Sequence, residues 1–408
     1  MKRAAFFIPF IILLISCTSQ PDPNEPRSMG EAIEVDEGHE AHPQSNRVPH
    51  ADVRSEKLDI NETITSVMNL PKQIELLHDI LNGDQNPERN ELSLLYNSMG
   101  WLNVESLDRE TLIIMEKLNN RLVQYDLPDG QITELAEEGR GPGDILFTRE
   151  MQLFDQKMYI AMQGFRVSLF DCTTGLCEFE NTIDTGVNNY SITRTNSGFT
   201  VLGLPPFGFD DSPGMDEEIR QFTLHQFTEE GEKTGMFSPV YSHQNPMIPE
   251  RMSAEGFVRY HPESGRTILI SQWLPYLYIY NSDAELEEKY RIPDFIQGYY
   301  NLIVDDQISY FRNDMPRSII QSVTSVDDQF LVIQITNRTN LRGVDRTSRP
   351  PSAEEYDQHV TYYAFDMSAD QLYKLGEDHY RDGAPRLFYV AGHGLLEAGE
   401  EKAYWIGL

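Results

Sequence analysis

From Trp101 onward the chain repeats one cadence: a short apolar strand, a tight turn, a second strand and another turn. Thr111-Leu112-Ile113-Ile114-Met115-Glu116 leads through Asn119-Asn120 to Arg121-Leu122-Val123-Gln124-Tyr125-Asp126. Pro128-Asp129-Gly130 then turns the chain into a third strand, Gln131 to Leu135. Such runs of aliphatic, β-branched and aromatic residues, bounded by Asn, Asp, Gly and Pro, read as strands and hairpin turns. The cadence returns with Lys157-Met158-Tyr159-Ile160-Ala161 as an inner strand, followed by Arg166-Val167-Ser168-Leu169-Phe170-Asp171 and Glu178-Phe179. Looser copies pair Phe199–Leu202 with Gln221–Phe227, Thr267–Ile270 with Tyr276–Tyr280, and Phe330–Ile333 with Val360–Asp366. Meanders recurring every forty to fifty residues or so read as propeller blades, because each small sheet needs a neighbour to bury its faces. The span 101–408, less loop-like inserts at 205–218 and 340–358, holds six units of about 46 residues. The expected fold is all-β, a six-bladed propeller of four-stranded antiparallel blades; a pair of β-sandwiches is the competing architecture.

Composition agrees, with 20 Tyr, 20 Phe, 27 Gly and 23 Pro favouring strands and turns over helices. One helix is expected before the repeats: Leu70 to Gly83 has apolar residues at helical spacing, Pro71 near its start and Gly83 at its end. Lys57–Ile60 reads as a lone strand. The C-terminal run Lys402 to Leu408 is expected to close the ring against a strand from the segment 57–119, since closure removes exposed edges. The propeller is therefore placed at 57–408, with regular blades from about 101. The formal net charge of −32 excludes DNA and RNA as partners, because phosphate recognition needs a basic surface. A salty habitat explains the same acidity equally well.

Between the first two units stands Glu138-Gly139-Arg140-Gly141-Pro142-Gly143-Asp144-Ile145. With the Arg166-Val167-Ser168-Leu169-Phe170-Asp171 strand downstream, it resembles the blade-opening element of NHL-type propellers and of six-bladed β-propeller lipoproteins of Bacteroidetes-type bacteria. The resemblance spans about forty residues and implies a six-bladed ring. In that setting Gly139, Arg140, Gly141, Pro142 and Gly143 form a blade-to-blade turn: glycines permit positive φ and Pro142 fixes one angle. A phosphate-cradling role would require a helix to follow, and a strand follows instead.

The N-terminus combines Lys2 and Arg3, an apolar run from Ala4 to Ile15, and Leu14-Ile15-Ser16-Cys17. A basic start, a short apolar stretch and a small residue are the parts of an export signal, and the run is too short to span a bilayer. The last four residues resemble the lipobox of bacterial lipoproteins. That resemblance implies removal of 1–16 and a lipid on Cys17 that anchors the chain to the cell membrane or outer membrane, facing the periplasm or the exterior. Loss of Lys2 and Arg3 would bring the charge to −34. Residues 17–56, rich in Pro, Glu, Asp, Ser and His, read as a disordered stalk, whose His39, His42 and His50 are solvated.

The remaining cysteines, Cys172 and Cys177, bracket a Gly-containing turn and are expected to form a disulfide in an oxidising compartment. No HExxH, CxxC, GxSxG or Walker-like string occurs, so no catalytic or metal-ligating residue is assigned and no cofactor is expected. His225, His243, His261, His359, His379 and His393 are spread over different units. The acidic insert Phe207 to Glu218 offers oxygen ligands that suit calcium, without the spacing of an EF-hand, and reads first as a solvated loop. The expectation is a tethered binding module for an envelope protein or a small ligand. The alternative is a propeller hydrolase or lyase with a metal at the channel mouth.

Overall fold

In the computed structural model the described residues are 32–34, 56–57, 71–82, 89–92, 102–117, 120–205, 221–240, 250–296, 299–303, 307–311, 317–340, 356–380, 384–399 and 403–406. They form a six-bladed β-propeller of four-stranded antiparallel sheets. Blades 1 to 5 span 102–136, 148–184, 188–239, 256–291 and 317–380. Blade 6 takes three strands from 386–406 and its outermost one, Arg89–Leu92, from the N-terminal side. Leu92 there faces Ala403 and Arg89 faces Ile406, so the ring is closed by strands from both ends of the chain. Cys17, the stalk histidines, His243 and the insert Phe207 to Glu218 lie outside the described residues.

Alternation along each strand builds the core. Leu112 and Ile114 point into an apolar layer shared with Val390, Leu396 and Trp405 of blade 6. Ile113 and Met115, on the opposite face of the same strand, join Met151, Met158, Ile160 and Phe170 of blade 2. Successive residues of a strand face opposite sides, so a strand buried on both faces must be apolar throughout, as Thr111–Glu116 nearly is. Each of the other four blade junctions is filled in the same way. The outermost strands meet solvent and carry polar residues, as in Ile132–Ala136.

The innermost strands are Leu102–Ser106, Thr148–Phe154, Asn188–Thr195, Gly256–His261, Arg317–Val326 and Arg386–Val390. Lys157–Met162, read from the cadence as an inner strand, is second in its blade. The insert expected at 340–358 is also shorter, because Phe330–Asn340 and Tyr356–Asp366 pair along their whole length. Each blade is a meander with an even number of strands, so every innermost strand begins at the same end of the ring. The connections between blades, and between second and third strands, all fall at that end. The opposite end carries hairpin turns such as 155–156 and 172–177. In the latter, Cys172 and Cys177 are joined by a disulfide, buried against blade 1.

A helix at Lys72–Leu81, within the expected span, covers the outer edge of blade 5. Ile74 and Leu77 are buried against that blade, and Asn82 donates from Nδ2 to the Leu375 carbonyl at 2.9 Å. Two short pieces of the N-terminal region also pair. Glu56–Lys57 runs parallel to the outer strand of blade 4, and Ala32–Glu34 lies beside Tyr299–Ile303, which pairs with Gln307–Phe311.

The glycine-rich connection between blades 1 and 2 is a turn built around one carboxylate. Asp144 accepts from the Gly141 amide at 2.7 Å, and Gly139 donates its amide to the Ile145 carbonyl at 3.2 Å. Only Gly143, at φ +86°, sits in the left-handed region. Gly139 is needed for space instead: a Cβ there would lie 2.1 Å from Asp144 Oδ2. Arg140 is exposed on this turn. Gly139→Ala should therefore destabilise the protein by about 1–3 kcal/mol in denaturant unfolding, and by clearly less in an Asp144→Ala background. Equal penalties in the two backgrounds would refute the steric account.

Candidate functional site

An innermost strand has a partner on one side only, and its other edge faces the channel. Side chains of the adjacent blade meet several of these open amides. Ile192 donates its amide to Glu150 Oε2 at 3.0 Å, and Val258 donates to Ser191 Oγ at 3.0 Å. Tyr389 donates to Thr324 Oγ1 at 2.8 Å, and Leu387 to Gln334 Oε1 at 3.2 Å. The polar residues that interrupt these strands thus supply the hydrogen bonds a further strand would have made.

Two of the interruptions are charged. Arg259 of blade 4 and Glu150 of blade 2 form an ion pair at 2.8 Å, with each side chain 9% exposed. Arg259 also donates to the Val258 and Val323 carbonyls at 2.7 and 2.6 Å, while Glu150 accepts from the Ser191 hydroxyl. The network joins blades 2, 3, 4 and 5 across the axis. A buried pair of this kind holds only with further hydrogen bonds to support it, and here Ser191, Ile192 and two carbonyls supply them.

Further charges converge on this pair. Glu105, on the innermost strand of blade 1, is half-buried by accessible area yet enclosed by protein, as a group facing an internal channel is. Burial pushes its carboxyl up to about 8; Arg259 pulls it down and Glu150 pushes it up. Lys117 follows the second strand of blade 1, at the end where innermost strands begin. Burial brings its ammonium down to about 7, with Arg386, Arg149 and Arg259 lowering it and Glu150 raising it. Neither Glu105 nor Lys117 makes a hydrogen bond or ion pair among the described residues. Arg149 stands over the ring of Tyr190, 5.2 Å from its centre. Thr148 Oγ1 and Gln152 Oε1, which flank Glu150 along its strand, are buried and have no hydrogen-bond partner among the described residues.

The described histidines are placed elsewhere. His225 is buried in the third strand of blade 3, where burial pulls it down to about 4 and its Nε2 lies 3.3 Å from the Gly203 carbonyl. His261, at the end of its strand, lies against Ser264, and His393, in a hairpin turn, against the Asp108 carbonyl, both at the opposite end of the ring. His359 and His379 face each other across strands of blade 5, with ring centres 4.6 Å apart. Among the described residues no group of three or more His, Cys, Asp and Glu is placed to hold a metal ion. The glycine-rich turn, the disulfide and the histidines are thus spread around the ring, while the converging charges come from residues that no short motif marks. Their one sequence signal is a charged residue inside an otherwise apolar run, as in Phe257-Val258-Arg259-Tyr260.

No family model matches the chain, and no curated protein does. Among solved structures, a member of the DUF4221 family from Bacteroides vulgatus is 12% identical, with a TM-score of 0.48 over 79% of this chain and 96% of that one. A Bacteroides fragilis protein designated as exported is 8% identical, with a TM-score of 0.44 over 71% and 75%. A streptogramin B lyase is 11% identical, with a TM-score of 0.44 over 79% and 97%. These likenesses carry nothing about activity, and the fold rests on this chain's own strand order.

Proposed function

We propose that the protein is a lipid-tethered binding module of the cell envelope, and that it takes its ligand at the end of the channel where the innermost strands begin. The tether is read from Leu14-Ile15-Ser16-Cys17 and the apolar run before it. Two or three acyl chains on Cys17 suffice for stable anchoring, since each buried methylene contributes about 0.8 kcal/mol. No helix among the described residues is long and apolar enough to cross a membrane.

The observation that carries the binding site is the state of Glu105 and Lys117. Both are held far from their ordinary ionisation, and neither has an ionic or hydrogen-bonding partner among the described residues. Elsewhere the inner edges are satisfied by Ser, Thr and Gln at no such cost. Groups that destabilise the free protein along a channel mark a site organised for something that is not part of the chain. A second reading, proton-transfer chemistry in a hydrolase or lyase, draws on the same two groups, whose acid strengths lie close to neutrality.

Two measurements test the proposal. Metabolic labelling with an alkyne fatty acid should mark the wild-type chain and not Cys17→Ser; an unlabelled wild type refutes the tether. A carboxyl raised in the fold keeps its proton while the unfolded chain loses it, so Glu105 erodes stability as pH rises from about 4.5 towards 8. Lys117, lowered in the fold, destabilises most below about 7, and that penalty fades as pH rises towards 10.5. Glu105→Gln should stabilise the free protein increasingly between these limits, and Lys117→Met should stabilise it at pH 7. Each gain should be on the order of 1 kcal/mol once screening by channel water is allowed for. Unchanged or lower stability in both variants would show that the two groups are ordinary parts of the scaffold, and would sink the binding-site reading.

A further inference from the structure

We infer that His359 and His379 form a two-histidine site for a late first-row divalent cation, Cu2+, Ni2+ or Zn2+, on the outer half of blade 5. The inference is independent of the channel-end reading, and neither falls with the other. The first ground is register. Tyr356–Asp366 and Gln371–Tyr380 are antiparallel, and His359 stands directly opposite His379. Side chains at directly opposite positions leave the same face with Cβ atoms about 4.5–5.5 Å apart, so two imidazoles there can reach one point. The ring centres are 4.6 Å apart, with their planes at 40°. Two imidazoles bound side by side to one ion, each through a nitrogen at about 2.0–2.1 Å, hold their centres roughly 4.5–5.2 Å apart. An ion therefore joins the two rings by side-chain rotation, with the backbone where it stands. Each imidazole has two nitrogens, and the one turned away from the metal is left for a hydrogen bond within the protein, the usual arrangement for a ligating histidine.

The second ground is placement. Tyr363 and Phe365 pack into the apolar layer shared with blade 4, and His359 continues the same face of their strand. Both histidines are exposed, so neither ring serves the core and an ion reaches them from solvent. The backbone beneath them is nevertheless fixed. His359 also stands opposite Asn337 on its other side, and Asn82, at the end of the helix, holds the Leu375 carbonyl of the outer strand. Ligands carried on a rigid sheet are positioned before the ion arrives, which keeps the entropic cost of binding low.

The donor set decides what binds. Two neutral imidazole nitrogens suit Cu2+, Ni2+ and Zn2+, whereas Mg2+ and Ca2+ call for oxygen ligands. Among the described residues no third His, Cys, Asp or Glu joins the pair, and Asn337 Oδ1 accepts from the Ser318 hydroxyl. Water fills the remaining coordination positions. A structural zinc takes four protein ligands, so this site is of the open kind, able to accept a further donor from outside the chain. The net charge of −32 favours the approach of a cation.

The test is titration calorimetry on the full chain in a non-ionic detergent, purified without a histidine tag and stripped with a chelator. The probes are CuCl2, NiCl2 and ZnCl2, each alone, with MgCl2 as control. The wild type should bind one equivalent of each late ion at this site, Cu2+ most tightly. Because the second imidazole binds intramolecularly, His359→Ala and His379→Ala should each weaken that equivalent by about a hundredfold, and the double variant should be little weaker than either. The late ions should also raise the melting temperature of the wild type more than that of either variant, and the metal-free melting curves confirm that the variants fold. Binding of no late ion, an equal response to Mg2+, or late-ion binding unchanged in either single variant overturns the inference. The last outcome would assign the ions to other histidines, such as His39, His42 and His50.

Discussion

Six strands whose inner edges have no strand partner govern this molecule. A four-stranded blade stacked between two others buries both faces and shields its middle strands, yet its first strand still turns one edge to the channel. Ring closure cannot pair that edge, because the neighbouring first strands meet side by side through side chains. Polar residues must therefore enter strands that are otherwise apolar, and they must reach the next blade. Glu150, Ser191, Thr324 and Gln334 do so by accepting from Ile192, Val258, Tyr389 and Leu387. Arg259 extends the arrangement across the axis by pairing with Glu150 and donating to two carbonyls. Once charge is admitted there, burial beside it holds Glu105 and Lys117 away from their ordinary ionisation.

The rest of the fold keeps this centre in place. Alternate residues of each middle strand feed two separate apolar layers, so a single strand such as Thr111–Glu116 ties together blades 6, 1 and 2. Arg89–Leu92 completes blade 6 beside Ala403–Ile406, so strands from both sides of the blade sequence close the ring. Helix Lys72–Leu81 then covers the edge of blade 5, where Gly376 leaves room for Leu81: a Cβ at that glycine would come within 2.6 Å of the leucine side chain. With the scaffold closed in this way, the connections between blades gather at one end and the hairpin turns at the other. The charged cluster lies toward the end with the connections.

How much of this could be read in the sequence follows from the same physics. Second and third strands are buried on both faces, so Thr111 to Glu116 and Lys157 to Ala161 stand out as apolar runs, and their spacing counted the blades. The innermost strands Thr148–Phe154 and Gly256–His261 carry charge because they line the channel, and that charge made them look like connections. The residues of the candidate site were lost with them. Lys117, the adjacent Arg149 and Glu150, and Arg259 come from well-separated stretches of the chain and are brought near one another only by the ring. The helix near 70–83 was legible because its period, Pro71 and its C-terminal turn agree. The glycines of 139–143 were legible as a turn but not for the right reason: room beside Asp144 matters at Gly139, and backbone freedom only at Gly143. The second insert was overestimated because the two long strands of blade 5 continue in unbroken pairing out to Asn340 and Tyr356.

The claim on which this account turns is that the channel end holds Lys117 in a cationic, desolvated setting. The most direct measurement is a pH titration of the lysine side-chain resonances by NMR, with Lys117 assigned through Lys117→Met. The account predicts a midpoint near about 7 for Lys117 in the free protein, with the remaining lysines titrating near the usual value for an exposed amine. A midpoint for Lys117 close to 10.5 would mean that solvent or an unrecognised anionic partner already satisfies it, and would contradict the account.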